Sequence, residues 1–311
     1  MSSPVFRSAL PALRLSLGII LVLHASTACA RQSAEGDVHT GHTMAPPGSA
    51  MTAVLPGDAR LPAGALDVAA RLARSPRHGE WTMIRTGPSD SVKAWVVYPE
   101  RATRAPVVLV VHEIYGLSTW VRGVADQLAA DGFIAIAPDL LTGKVAPAPG
   151  SDTLTQAAAS AAIRTLQTAD VHRQLAAIGQ YGMSLPAAEQ RYGTVGFCWG
   201  GSTSFMHAVA SPSGLGASVV YYGGSPADSL LPRVKVPVLG LYGGDDARVN
   251  ATIAPAQAAL RALGKAYEPH IFVGAGHGFL RQQDAKDGAN LSASRQAWPL
   301  TIAFLRTNLA R

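Results

Sequence analysis

Cysteine is nearly absent: Cys29 and Cys198 are the only two in 311 residues. So sparse a set excludes a disulfide framework, and with no C-x-x-C pair or resolving cysteine the chain lacks the equipment for thiol-transfer chemistry. Aromatic residues make up only 6% of the chain and do not interleave with the basic ones, which are scattered. Nucleic-acid binding, which needs a massed basic surface, has little support. No apolar run is long enough to span a bilayer comfortably, and no internal repeat is visible. A lone thiol in an oxidising compartment has no internal partner, so Cys198 is either sheltered or reactive.

The first 30 residues read as an export signal. Arg7 and Arg14 form a positive n-region, Leu15 to Leu23 a short apolar core, and Ala28-Cys29-Ala30 an A-x-A cleavage site. A lipoprotein signal anchored through Cys29 competes, although Ser26 stands where leucine is usual. Cleavage and release, into the periplasm of a bacterial cell, is the expectation. Removing Arg7 and Arg14 lowers the formal charge of +6 only to a modest +4. Residues 31–76, rich in Ala, Gly, Pro, Ser and His, read as an exposed tether with one brief helical stretch at Leu66 to Ala73. His39, His42 and Met44 within it are too few for a closed metal site.

From Trp81 apolar strands alternate with amphipathic helices, so residues 77–311 are expected to form one α/β domain with a mostly parallel central sheet and helices on both faces. Strands are expected at Val92–Val97, Val107–Val111, Phe133–Ala137, Tyr192–Phe197, Ala217–Tyr222, Val238–Tyr242 and Tyr267–Val273. Helices are expected after Trp120, at Val171–Ile178, Ser202–Ala210 and Thr252–Leu263, and around Trp298 to Leu309. Thr142 to Ser160, rich in Pro, Gly and Ala, reads as a simple loop, with a mobile cap over the site as the alternative.

Gly196-Phe197-Cys198-Trp199-Gly200 is a G-x-C-x-G sequence at the point where a strand should turn sharply into a helix. The G-x-S-x-G form of such a turn presents a nucleophile, and a helix N-terminus favours negative charge, so the thiol of Cys198 is expected to lean towards the thiolate. After the strand that ends at Tyr242 comes Gly243-Gly244-Asp245-Asp246-Ala247-Arg248-Val249. Asp246 is the candidate acid and Asp245 its rival. Gly276-His277-Gly278 leaves an imidazole free after the last strand, with His270 as runner-up base. The order Cys198, Asp246, His277 is nucleophile, acid, base as along α/β-hydrolase chains. His277 would stabilise the thiolate and protonate the leaving group while Asp246 fixes its tautomer. In His112-Glu113-Ile114-Tyr115-Gly116, after the strand Val107–Val111, the N–H of Ile114 would join that of Trp199 in an oxyanion hole. No zinc site forms there, because H-E-x-x-H needs a histidine where Gly116 stands.

These motifs, with Ala137-Pro138-Asp139-Leu140-Leu141, Tyr221-Tyr222-Gly223 and Gly274 through Arg281, resemble those of the dienelactone hydrolases, α/β-hydrolases of the carboxymethylenebutenolidase type, from about Trp81 to the C-terminus. The resemblance implies a Cys198, His277, Asp246 triad with Glu113 as partner of the resting thiol. It also implies that Arg281 holds a substrate carboxylate, with Tyr115 and Tyr221 as further substrate-binding positions. Glu113 would oppose thiolate formation by repulsion or accept its proton, keeping the nucleophile quiet until an anionic substrate rearranges the pair. The family's second carboxylate-binding arginine is missing after Pro138-Asp139-Leu140, where Lys144 follows, and a lysine lacks the bidentate fork.

The expectation is an exported hydrolase of a small ester or lactone, acting through a thioester with no metal or organic cofactor, no nucleic acid and no stable protein partner. The alternative is a non-catalytic small-molecule-binding module on the same fold, and an intact triad argues against it.

Overall fold

Every residue of Ala105–Val111 is buried, as a strand covered on both faces requires. In the computed structural model, which describes residues 58–145 and 150–309, this strand (β3) lies near the middle of a single eight-stranded sheet. The others are β1 (Gly79–Arg85), β2 (Ser91–Val97), β4 (Ile134–Pro138), β5 (Ala188–Phe197), β6 (Leu215–Tyr221), β7 (Val238–Gly243) and β8 (Tyr267–Phe272). The order is β1-β2-β4-β3-β5-β6-β7-β8. Both pairings of β2 are antiparallel and all the others are parallel.

Alternate strand residues serve opposite faces. Val108 and Val110 of β3 join a core with Val121, Val124 and Leu128 of α2 (Thr119–Ala130) and Trp298 and Leu305 of α8 (Ala289–Leu309). Val107, Leu109 and Val111 meet Val171, Leu175 and Ile178 of α4 (Thr168–Ser184). Beyond them α5 (Trp199–Ala210) and α7 (Ile253–Ala262) cover β6 and β7. This is the doubly covered, mostly parallel sheet of the α/β-hydrolase fold.

The structure departs from the sequence expectations in three places. β1 went unpredicted, being an edge strand in which only Ile84 is buried while Trp81 and Met83 face outward. Residues 142–160 hold a one-turn 3₁₀ segment, Ser151–Thr153, and a helix, α3 (Gln156–Ile163). Ala159, Ala162 and Ile163 of that helix pack on Leu141, with Ile114 and Trp199 alongside, so this part of the segment is a packed cover rather than a loop. The tether boundary at 76 is also corrected: Leu61, Ala63 and Val68 are buried in the α2 side of the core, and Val68–Leu72 forms the short helix α1. Burying these side chains outweighs the ordering cost of a segment whose composition alone suggests a linker. The signal, Cys29, His39, His42 and Met44 lie outside the described residues.

Candidate active site

The sheet register brings the candidate groups to one edge, the C-terminal ends of the parallel strands. Val111 of β3 pairs with Gly196 of β5, Phe197 with Tyr221 of β6, and β7 and β8 run alongside. Glu113, Cys198, Tyr222, Asp246 and His277 each follow one of these strands within a few residues, so neighbouring strands contribute one group apiece. Open α/β sheets bind ligands at this edge.

Cys198 sits at φ 55° and ψ −114°, a left-handed conformation that lifts the side chain above the strand end before α5 begins. The glycines make the turn possible by close approach: a Cβ on Gly196 would overlap the Gly200 carbonyl, and one on Gly200 would overlap the Val111 carbonyl. The sequence expectation of a thiol leaning towards its anion is corrected here. Burial pushes the Cys198 thiol up from its ordinary value and the Glu113 carboxylate pushes it further, against the lowering influence of the Trp199 N–H and of Arg248. Desolvation and like charge outweigh the helix terminus, so the resting sulfur is a thiol.

Asp246 and His277 are joined. Asp246 caps α6 (Ala247–Asn250) by accepting from the Val249 N–H at 3.4 Å, and its other oxygen lies 2.5 Å from Nδ1 of His277. With Nδ1–H committed to the carboxylate, Nε2 is left as the base. Asp245 is turned outward to Lys286, at 2.9 Å, and His270 pairs with Glu268 on β8 at 2.7 Å, so neither alternative reaches the site.

Glu113 is 3% exposed, and burial raises its carboxyl to about 7 despite the nearby Arg281, which lowers it. Nε of Arg281 lies 2.9 Å from Oε2 of Glu113 without the alignment of a hydrogen bond, so the contact is chiefly ionic. The Arg281 guanidinium also lies over the Tyr115 ring, 5.2 Å from its centre. His112 ties this turn to the next strand: its Nδ1–H donates to the Glu113 carbonyl at 2.8 Å and its Nε2 accepts from the Leu140 N–H at 3.2 Å. The Ile114 N–H has no backbone acceptor among the described residues, as an oxyanion donor requires. Asp139, of the Pro138-Asp139-Leu140 turn, accepts from the hydroxyl of Ser151 at 2.8 Å, and that hydroxyl accepts from the Leu117 N–H at 2.7 Å, joining the cover segment to the Glu113 turn.

Tyr221 is corrected from substrate-binding position to core residue: it is fully buried, and its hydroxyl meets that of Thr301 on α8 at 2.7 Å. The group facing the site is its neighbour Tyr222, held at φ 40°, with its ring 5.1 Å from that of His277 and its buried hydroxyl unpartnered. Strand alternation alone separates the two tyrosines, and nothing in the motif Tyr221-Tyr222-Gly223 marks which one turns inward. Arg248 was likewise missed as an influence on the thiol, for one exposed arginine on the short helix α6 carries no signal. Lys144 is exposed.

Comparison with known proteins agrees with this fold. The dienelactone hydrolase family profile matches residues 92–309. A protein of Methylorubrum extorquens designated "Putative carboxymethylenebutenolidase" is 33% identical over 218 residues, covering 63% of this chain and 73% of its own length. One of the same designation from Salmonella typhimurium is 29% identical over 237 residues, covering 67% and 80%. Among solved structures, a Klebsiella pneumoniae protein described as a "Putative Dienelactone Hydrolase" superposes with a TM-score of 0.64 at 25% identity over 73% of this chain and 98% of its own. The dienelactone hydrolase of Anabaena variabilis shares the fold, with a TM-score of 0.56 at 23% identity over 75% and 99%. This chain belongs to the dienelactone hydrolase family and is a hydrolase of the ester and lactone type.

Proposed function

We propose that the protein is an exported enzyme that hydrolyses a small, carboxylate-bearing ester or lactone through a thioester on Cys198. The observation that carries this reading is the junction of Asp246 and His277 at 2.5 Å on the same sheet edge as the elbow that bears Cys198.

In the resting site the thiol is protonated beside the Glu113 and Arg281 pair. A substrate carboxylate competes for the guanidinium, whose fork suits it. Glu113, losing its cation, then takes up a proton from solvent, and the negative charge that opposed the thiolate disappears. Nε2 of His277 removes the Cys198 proton, the sulfur attacks the ester carbonyl, and the oxyanion is received by the N–H groups of Ile114 and Trp199. The imidazolium, steadied by Asp246, returns its proton to the leaving oxygen as the C–O bond breaks and the thioester remains. Water then gives a proton to His277 and its oxygen attacks the thioester. The sulfur departs and regains the proton, releasing the acid. No step needs a metal or an organic cofactor.

The test is hydrolysis of a cis-dienelactone and of para-nitrophenyl acetate by the mature protein, with Cys198→Ala in parallel. Turnover of both, lost in the variant, supports the reading. Turnover of the aryl ester alone moves the substrate elsewhere, and turnover of neither favours a binding module. Export is tested separately by fractionating the native host and determining the N-terminus of the product; a cytoplasmic chain still beginning at Met1 would overturn it.

A further inference from the structure

Arg281 is held by its backbone as well as by Glu113, and the backbone partner comes from the segment before β1. The Ala65 N–H donates to the Arg281 carbonyl at 2.8 Å, and Nε2 of Gln283 donates to the Pro62 carbonyl at 2.8 Å. The segment is itself stitched down. Arg71 reaches the carbonyls of Leu61 at 2.6 Å and Ala59 at 2.7 Å and the Gln127 side chain of α2 at 2.5 Å. Leu61 and Val68 are buried beneath it, and Val68 packs where α2 has Gly123. This strap, Asp58 to Leu72, precedes residues 92–309 and so is no part of the region shared with the family profile.

A cavity of about 280 Å³ opens beside it, with Ala65 and Val68 forming one wall and Tyr115, Thr119, Gln156 and Arg281 others. Arg281 is the only cationic side chain lining it among the described residues, and Asp152 at its edge is paired with Lys93 at 3.3 Å. Trp120 also lines it and carries a buried indole N–H without an acceptor. The cavity therefore offers one guanidinium to whatever enters, while the carboxylate in its lining, Asp152, is held by Lys93.

We propose that the Asp58–Leu72 strap is a positioning element for Arg281, fixing the backbone of the guanidinium that meets the substrate and walling the cavity that receives the anionic arm of the ester. This rests on the carboxylate-binding reading of Arg281 above and assigns to the strap the selectivity of that site.

Gly64 to Val68 forms a turn in which the Gly64 carbonyl accepts from the N–H groups of Asp67 at 3.2 Å and Val68 at 3.1 Å. Ala65 occupies the second turn position, where proline is favoured, so Ala65→Pro deletes the donor to Arg281 while suiting the turn. The substrates are the para-nitrophenyl monoester of glutaric acid and para-nitrophenyl valerate, which share a leaving group and differ in the terminal carboxylate. The wild type should prefer the anionic ester, and Arg281→Gln should abolish the preference. Ala65→Pro should lower the ratio of kcat/KM values about tenfold, through KM for the anionic ester rather than kcat, a change of about 1.4 kcal/mol. Ala65→Ser, which keeps the N–H, should retain the ratio. If Ala65→Pro fails to fold, Gln283→Leu, which removes the donor to Pro62, must show the same fall in the ratio. A preference that Arg281→Gln abolishes and the strap variants preserve overturns the strap's role alone. A wild type without any preference overturns the reading of Arg281 and the strap with it.

Discussion

Replacing Glu113 by glutamine should change how stability depends on pH. A buried carboxyl raised from 4.5 to about 7 holds its proton in the folded chain over an interval in which the unfolded chain has given it up. Below pH 4.5 both states are protonated and the group is silent. Between 4.5 and about 7 the unfolded state gains by ionising, so the wild type loses stability as pH rises, and above 7 the loss is complete. A tenfold change in proton affinity is worth about 1.4 kcal/mol, so the full loss is roughly 3 kcal/mol. Glu113→Gln keeps the shape of the protonated acid and lacks the titration. Urea unfolding of both proteins from pH 4 to pH 8.5 should give similar stabilities at the acid end and a variant more stable by about 3 kcal/mol at the alkaline end, or roughly 10 °C in Tm. Titrating groups that do not feel Glu113 cancel in the difference, and the two that do, the Cys198 thiol and the Tyr222 hydroxyl, are both held up by burial. Parallel curves for the two proteins would show that Glu113 ionises normally in the folded state and would refute the account of the resting thiol.

The same substitution should speed alkylation of Cys198 by iodoacetamide several-fold at pH 7.5, because the carboxylate is the second largest influence holding the thiol up; an unchanged rate would remove Glu113 from that role. Asp246→Asn should lower kcat on para-nitrophenyl acetate by about a thousandfold or more with little change in Tm, since the amide leaves His277 in the wrong tautomer, and a loss under tenfold would mean the 2.5 Å contact is structural only. Tyr222→Phe removes a buried hydroxyl that has no partner, so stability measured by urea unfolding should hold or rise by up to about 1 kcal/mol, whereas a fall of that size would reveal an acceptor.

Legibility in the sequence followed the strength of the local signal. Strands buried on both faces, such as Val107–Val111, declare themselves as unbroken β-branched runs, and the triad residues stand out because glycines must surround groups on tight turns at strand ends. β1 was hidden because its alternating Trp81 and Met83 lie on an exposed face, leaving one buried side chain, Ile84, to mark the strand. α3 was hidden because its run of alanines, though it favours a helix, shows no contrast between an apolar and a polar face. The strap was hidden because its proline and glycine content resembles a linker, and its anchoring depends on backbone groups and on Arg71 near its own C-terminal end, reaching back to the carbonyls of Ala59 and Leu61. In the candidate site, the strand-end positions of Cys198, Asp246 and His277 were legible, while the choice between Tyr221 and Tyr222 and the charge states were not: the balance between a helix terminus and a buried carboxylate is set by depth, which spacing along the chain does not encode.

The two neighbours His112 and Glu113 respond to acid in opposite ways. Burial lowers the affinity of His112 for a second proton, so its ring keeps one N–H and one lone pair and goes on bridging the Glu113 carbonyl and the Leu140 N–H. Burial raises the affinity of Glu113 for its proton, so that its carboxyl titrates near neutrality. The main chain at Glu113 is thus clamped by a group whose burial disfavours a second proton, while the side chain hanging from it gains and loses a charge. The residue can change its electrical state without changing its place, and the donors of the adjoining Ile114 turn stay aimed where they were.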